Sequence, residues 1–397
     1  MRLHAIRYSG RLALALLLIA PQAAARGPVA LPAATAGAMA QAASPQAIAE
    51  YRRKLREYQE ARAAFEQEAD AYWSSIIEKR RGRNAKRRER QAVGLDDYVL
   101  TQPPVYSGPK RPVNPEPSAP EPEQPRRERK YVPVVADLLK AAADYFQWTP
   151  QQPTNELEFK RAYASFASAA GLTREQAVRI YAFETGGNGN HASQSGFHGS
   201  HAISTAIGYN QLLTTNTVEL LAEQGPEFVK LLADKAARLS SPARQAMDRK
   251  IAVLKKMVAL ARSVPDEWAQ HEKIGDMPQG WALHAMVLDI DVGPMLQTHK
   301  LLTSVIFARA KGYSRPLSAA ELEMMNLTGD GTGLDMVTMP QAMREVVPTS
   351  NFFQRSGYER NPVASRHNTV AKLLAITDSR MDSNSALPGA KELAAAF

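Results

Sequence analysis

Wherever apolar positions recur in this chain, they recur at helical spacing. Ile48, Tyr51, Leu55, Tyr58, Arg62, Phe65, Ala69, Tyr72 and Ile76 are separated by alternating steps of three and four. That is a heptad stripe, apolar except at Arg62, where a polar residue would fix register at some cost in stability. Glu57, Glu60, Glu66 and Glu68 mix with Arg52, Arg53, Lys54 and Arg56 on the other faces, as on a solvated helix. The pattern predicts an amphipathic helix over 46–78, either a solvated stalk or a seam for a protein partner or a second copy. The charged helical block runs on to about 92. Its end, Lys79 to Arg90, holds eight basic residues and one acidic one and predicts a solvated, mobile face or tail. From about 134 to 397 helical signals dominate. Thr173 with Gln176 and Ser318 with Glu321 read as capping boxes, and Ser241-Pro242 as an N-cap followed by Pro at the first helical position. No run of strand alternation is flanked by hairpin turns. The predicted fold class is mainly α.

Between the two parts lies a Pro-rich stretch, 93–133, whose segment from Thr101 to Pro133 is charged and cannot bury a core. It predicts an extended, semi-rigid linker. The N-terminus has a basic lead (Arg2, His4, Arg7, Arg11), an apolar run from Leu12 to Ala20, and Ala23-Ala24-Ala25 before Arg26. This matches a secretory signal over 1–25, with an uncleaved membrane anchor as the other reading. Residues 26–45, rich in Ala, Gly and Pro, predict a disordered lead-in. The expected location is therefore the periplasm. The formal net charge of +9 and the absence of Cys change the picture only a little. A basic surface suits an anionic partner, and export argues against nucleic acid. The basic block then has anionic lipid or wall polymer as its natural contacts.

Candidate chemistry concentrates in Tyr181 to Leu213, YAFETGGNGNHASQSGFHGSHAISTAIGYNQLL. Ala177, Val178, Tyr181 and Ala182 give an apolar helical face, Glu184 falls in the last turn, and Gly186 and Gly187 stop the helix. A carboxyl at a helix C-terminus, beside aromatic neighbours, is pushed toward its neutral form. A carboxyl kept protonated near neutral pH can give a proton to a glycosidic oxygen. Taken alone, a Glu at a helix end is more often an ordinary surface residue.

Gly208-Tyr209-Asn210-Gln211-Leu212-Leu213, followed by Thr214, Thr215, Asn216 and Thr217, resembles the Gly-Leu-Met-Gln-Leu-Met segment of lytic transglycosylases and goose-type lysozymes. In those families a helix ends in the catalytic Glu, often followed by Ser. A loop then leads to the Gly-x-x-Gln-hydrophobic segment that lines the sugar groove. The resemblance implies a lysozyme-like helical domain over 134–397 and an enzyme that cleaves the MurNAc-GlcNAc bond of peptidoglycan glycan strands. It implies Glu184 as acid/base and a 1,6-anhydro product. Thr185, Gly208, Tyr209, Asn210, Gln211 and Tyr181 become expected substrate-binding residues, with the Thr185 hydroxyl a hydrogen-bond partner for the catalytic carboxyl. The nearest copy of the family's later Tyr-Asn-x-Gly segment is Met325-Asn326-Leu327-Thr328-Gly329, one residue longer, which would put Asn326 opposite Glu184. Tyr209-Asn210 stands in place of Leu-Met, and the Glu184–Gly208 connection is longer than the family's.

A hydrolytic glycosidase needs two carboxylates about 5–9.5 Å apart, whereas the lytic mechanism implied by the resemblance needs one. Asp289 and Asp291 lie two residues apart, so on a helix they face different ways, and Asp291 reads as a cap of the next helix. Asp330 and Asp335, in GDGTGLD, read as turn residues. A fold could still bring one of these to the groove, which keeps lysozyme-type hydrolysis open. His191, His198 and His201 cluster after Glu184, but their spacing fits no standard zinc motif. No metal or cofactor is expected, and this loop reads as a wall or lid of the groove. Tyr181, Phe183, Phe197 and Tyr209 are candidates for sugar stacking or for the core. Trp268, His271, Trp281 and His284 are left between core and groove, and Phe352-Phe353 with Tyr358 reads as a packed loop. A non-catalytic wall-binding scaffold, working through the 46–78 helix, is the alternative from outside enzymology.

Overall fold

The computed structural model describes residues 44–116, 131–197 and 201–397. The expected signal (1–25), the lead-in as far as residue 43, the middle of the Pro-rich stretch and His198 lie outside them. The described residues form two compact units. The larger takes in 62–107 and 131–397, and the smaller 44–61 and 108–116. The fold is mainly α, and among the described residues β pairing is limited to isolated bridges at Gln194–Ile207, Ile207–Leu212 and Pro348–Thr369.

Helix α1 spans Pro45–Arg88 and enters the larger unit at Arg62. The helices that build that unit are α2 (Val135–Phe146), α3 (Glu156–Ala170), α4 (Arg174–Thr185), α5 (Thr214–Ala236), α6 (Ser241–Ala261), α7 (Trp268–Gly275) and α8 (Pro278–His284). They continue with α9 (Val292–Ala310), α10 (Ala319–Thr328), α11 (Asp330–Thr338), α12 (Val370–Ser385) and α13 (Pro388–Ala396). Short helical turns connect α11 to α12.

Three apolar clusters hold these helices. Leu138, Leu221, Phe228, Leu254, Met257, Leu283 and Met286 join α2, α5, α6 and α8. Phe159, Tyr163, Tyr181, Leu301, Leu322, Met381 and Leu393 join α3, α4, α9, α10, α12 and α13. Trp73, Ile76, Tyr98, Met324, Met336, Phe352 and Tyr358 join α1, α10 and α11. Helix α9 supplies Leu296 to the first cluster and Leu301 to the second. Helix α10 supplies Leu322 and Met325 to the second and Met324 to the third. A buried side chain of this size is worth roughly 1.5–3 kcal/mol, so each of these helices is fixed on two sides.

The N-terminal helix corrects the reading of the basic block as a solvated, mobile face or tail. The block is helical to Arg88, within the 46–92 expected for the charged helix. The heptad stripe also continues into that block: Ala69, Trp73, Ile76, Arg80, Arg83 and Arg87 follow the same three-and-four spacing. Within the larger unit this stripe is covered by the chain itself. Arg83 is only 1% exposed. It donates to Asp335 Oδ2 at 3.2 Å, to the Asp97 carbonyl at 2.9 Å and to the Asn351 carbonyl at 3.2 Å, and it lies 4.3 Å over the Tyr98 ring. Arg87 pairs with Asp335 as well, and Arg80 donates to the carbonyls of Asn351 and Phe353. A run of arginines reads as solvated only until carbonyls and a carboxylate are supplied to receive it. The start of the expected linker is likewise folded in. Tyr98 is buried and donates to Asp335 Oδ1 at 2.8 Å. Val99 exchanges two hydrogen bonds with the Asn351 side chain, at 2.9 and 2.8 Å.

Three acidic residues also play parts other than those expected. Asp291 stands at the N-cap position of α9, but the capping side chain is Asp289, which accepts from the amides of Asp291 and Val292. Asp291 turns to Lys250 and Lys235. Asp330 and Asp335 lie in α11 rather than in a turn. Helix α11 packs closely on α10 at Gly333. A Cβ on Gly333 would stand 2.3 Å from the Met325 Cα, so only glycine allows the approach.

Removing one partner of a buried ion pair typically costs about 3–5 kcal/mol. Asp335→Ala should therefore lower stability by about that amount in denaturant melts. Arg81→Ala, on the exposed face of α1, should change it by no more than about 0.5 kcal/mol. Equal effects would mean that the Arg83–Asp335 contact does not hold α1 in place.

Candidate functional site

Two helix ends make the site. Helix α4 begins at a capping box in which Thr173 accepts from the Gln176 amide and Gln176 accepts from the Thr173 amide, both at 3.1 Å. It ends at Gly186, whose φ of +65° is left-handed. Gln176 also donates to the Leu317 carbonyl at 2.9 Å, which ties the start of α4 to the approach of α10. Asn384 of α12 caps the other end by donating to the Ala182 carbonyl at 3.0 Å. Helix α10 opens at the Ser318–Glu321 capping box. Both boxes stand where the sequence placed them.

This frame brings Glu184 and Asn326 together. Asn326 Nδ2 donates to Glu184 Oε1 at 3.0 Å and to Glu323 Oε2 at 3.3 Å. Glu184 is half-buried, while Glu323 is 1% exposed. One amide nitrogen thus reaches a carboxyl oxygen of each residue. Burial pushes the Glu184 carboxyl up to about 7, against hydrogen bonds from Glu323 and Asn326 and the charge of Lys300, which pull it down. Glu323 is pushed well above the usual carboxylate range, first by burial and then by the charge of Glu184. The operative cause is desolvation by packed neighbours, more than the helix end on which the sequence argument leaned.

Asn326 also lines a groove of about 430 Å³ bounded by Leu213, Asn216, Glu219 and Glu223 near the start of α5, Trp268, Lys300 of α9, Leu327 and Asp330. Trp268 and Leu327 are exposed there, at 45% and 40%. Glu219, Glu223 and Asp330 are all raised, each by burial first. Lys300 is lowered by burial, against the attraction of Glu219, Glu184, Glu323 and Asp330. The wall is thus mixed polar and apolar, with three carboxyls, one ammonium and one indole. Asp330, read as a turn residue from the sequence, is part of this wall.

The other expected site residues lie elsewhere. Thr185 gives its hydroxyl to the Tyr181 carbonyl at 2.7 Å, not to Glu184. Tyr181 and Tyr209 have no exposed surface and meet edge to face at 4.8 Å inside the second apolar cluster. In this conformation they present no face to a sugar. Gly208 to Gln211 form a tight turn closed by the Ile207–Leu212 backbone pair and docked on α9. The Asn210 amide donates to Gln297 Oε1 at 2.8 Å, and its side chain donates to the Gln297 carbonyl at 2.7 Å. Gly208 has φ +85°, and a Cβ there would collide with Gln297. Gln211 donates back to the carbonyls of Gly208 and Ser193. This turn positions the start of α5, and it is α5 that reaches the groove.

The histidines divide in the same way. His191 is held by Glu156, through its amide at 3.0 Å and Nδ1 at 2.8 Å. His284 is buried, accepts from Thr217, donates to the Thr205 carbonyl, and is pushed down to about 4 by burial. It is therefore a neutral core residue at physiological pH. His271 is also fully buried. Among the described residues no group of three metal-ligating side chains converges.

Sequence reasoning missed Glu323, Glu219 and Lys300. The signal for Glu323 was present: an acidic residue inside the apolar run Leu322–Met325, three positions before Asn326 and so on the same helical face. No family model, curated protein or solved structure matches this chain.

The raised Glu184 value makes a stability prediction. A carboxyl whose folded value lies above its ordinary one stabilises the fold while protonated. That contribution is complete below the unfolded value and is lost as pH rises through the folded one, here between about 4.5 and about 7. Glu184→Gln cannot ionise, so it should match the unmodified protein at pH 5. At pH 8 it should be more stable, by on the order of 2 kcal/mol or several degrees in Tm. Thermal melts at the two pH values test this, and a pH-independent difference contradicts it.

Proposed function

We propose that this chain is an exported, lysozyme-like lytic transglycosylase that cleaves the MurNAc-GlcNAc bond of peptidoglycan with Glu184 as the sole acid/base. The observation that carries the reading is a half-buried Glu184, neutral to about pH 7 and held by Asn326, whose amide also lines the groove. A neutral carboxyl beside a groove is what protonation of a glycosidic oxygen requires. The second carboxyl supports a one-carboxyl mechanism. Glu323 shares the Asn326 amide with Glu184, whereas a nucleophile or a water-activating base must face the sugar. It is also buried away from the groove.

On this reading Glu184 gives its proton to the oxygen that leaves C1 of the muramic residue. The resulting carboxylate then takes the proton of that sugar's 6-hydroxyl as its oxygen bonds to C1. The ring closes as the 1,6-anhydro product, no water is consumed, and Glu184 ends protonated. Exposed Trp268 offers an apolar face for a sugar ring, and Asn216, Lys300 and Asp330 offer hydrogen-bonding groups. The basic lead, apolar run and small-residue site over 1–25, with the absence of Cys, support delivery to the periplasm, where the substrate lies.

The test is digestion of isolated peptidoglycan by the mature protein, with soluble products read by mass spectrometry. Anhydro products are expected, reduced at least ~100-fold in Glu184→Gln without loss of folding. Their rate should be flat below about pH 7 and fall about tenfold per pH unit above it, because the acid must start protonated. Hydrated products would indicate a hydrolase that draws on Glu219 or Asp330 in the groove. Binding without products would indicate a wall-binding scaffold.

A further inference from the structure

Glu323 has no task in that mechanism, yet it is among the most deeply buried acidic groups among the described residues and sits directly behind Glu184. A buried carboxyl is normally matched by a cation or by donors. The groups that face it are Glu184 from α4, Asn326 from its own helix and, at longer range, Lys300 from α9. The Lys300 ammonium is itself shared among Glu219 of α5, Glu184, Glu323 and Asp330 of α11. No ion pair to Glu323 within 4 Å is among the contacts of the described residues, so its charge would go uncompensated. A single amide nitrogen, Asn326 Nδ2, reaches both carboxyls, at 3.0 and 3.3 Å. Two carboxylates this close cannot both be charged. The one that ionises is the one nearer water, and Glu184 is half-buried where Glu323 is enclosed.

We propose that Glu323 is a positioning residue that stays protonated through neutral pH and donates its O–H to the Glu184 carboxylate, so that the pair never carries more than one negative charge. Its catalytic meaning rests on the function proposed above. When Glu184 gives up its proton, a neutral Glu323 and the Asn326 amide are already aimed at the oxygens where charge appears. This is stabilisation by donors set in place beforehand. The proton on Glu323 does not move during the reaction. The arrangement also keeps Glu184 from being too weak an acid, since burial alone would push it higher than it lies.

The experiment is a pH titration of glutamate side-chain carboxyls by ¹³C NMR on the full chain labelled at Glu. Signals are assigned by their loss in Glu184→Gln and Glu323→Gln. In Glu323→Gln the amide N–H replaces the acid O–H as donor, so the Glu184 midpoint should stay within about half a pH unit of the unmodified protein. In Glu323→Leu the donor is gone and burial remains, so the midpoint should rise by about one pH unit or more. The proposal is overturned if Glu323→Gln lowers the Glu184 midpoint by about one pH unit or more, toward the ordinary carboxylate range. Glu323 would then be an anion that repels Glu184. If Glu323→Leu does not fold, Glu323→Gln alone decides between these outcomes. The titration needs no substrate, so absence of glycan cleavage with these midpoints intact defeats the functional reading and leaves the pair standing. Where cleavage is seen, the falling limb of kcat/KM should track the Glu184 midpoint in each variant.

Discussion

Desolvation of ionisable groups is the constraint on which the rest of this structure depends. Three of the places at which charged side chains are drawn into the helical packing show the ways this constraint is settled. Arg83 and Asp335 neutralise one another beneath α1. Lys250 satisfies Asp289 and Asp291 at the start of α9. Glu184 and Glu323 have no cation in contact, and protonation takes its place. The first two arrangements hold helices together, because taking away either partner strands a charge. The third keeps a proton available where α4 meets α10. The same physical cost therefore builds the frame in two places and raises a pair of carboxyls in the third.

Helix α10 links these outcomes. Its Leu322 and Met325 face the cluster that carries α4, its Met324 faces the cluster that carries α1, and Glu323 and Asn326 face Glu184. The close approach of Gly333 in α11 to Met325 fixes it from behind. The geometry of the carboxyl pair is thus set by packing on several sides, as the function proposed above would require. The Gly208–Gln211 turn acts at a further remove, by fixing through Gln297 where α5 begins.

Local chemistry was the legible part of the sequence. The Thr173–Gln176 and Ser318–Glu321 boxes and the stop at Gly186 depend on residues within a few positions of one another, and these caps stand as read. The helical class followed from the spacing. The parts that could not be read depend on partners distant in sequence. The arginines of α1 receive carbonyls from residues 97, 351 and 353, and so left the solvated class. The glycines of the Asp330–Asp335 segment suggested a turn by intrinsic propensity, and tertiary packing made a helix of them. Tyr181 and Tyr209 were eligible for groove or core, and nothing local distinguishes the two. Glu323 is an acidic residue inside an apolar run, and what it faces depends on the packing of α4 and α9 around α10. Glu184 and Asn326 were each identified, but their contact at 3.0 Å depends on how the helices assemble.

The docking of Arg62–Ser107 onto the larger unit has a topological consequence. That unit draws its chain from both sides of the Pro-rich stretch, so it is discontinuous in sequence. Cutting at the stretch would not separate a tail from a self-contained domain. It would leave a C-terminal piece with an exposed apolar face where Trp73, Ile76 and Tyr98 had been, and with Asp335 missing its buried arginine. The two pieces would be complementary halves, able in principle to reassemble as a split protein whose association is itself a reporter. By the same reasoning the stretch between them is a natural site for inserting foreign sequence, since the unit is closed by what lies before and after it.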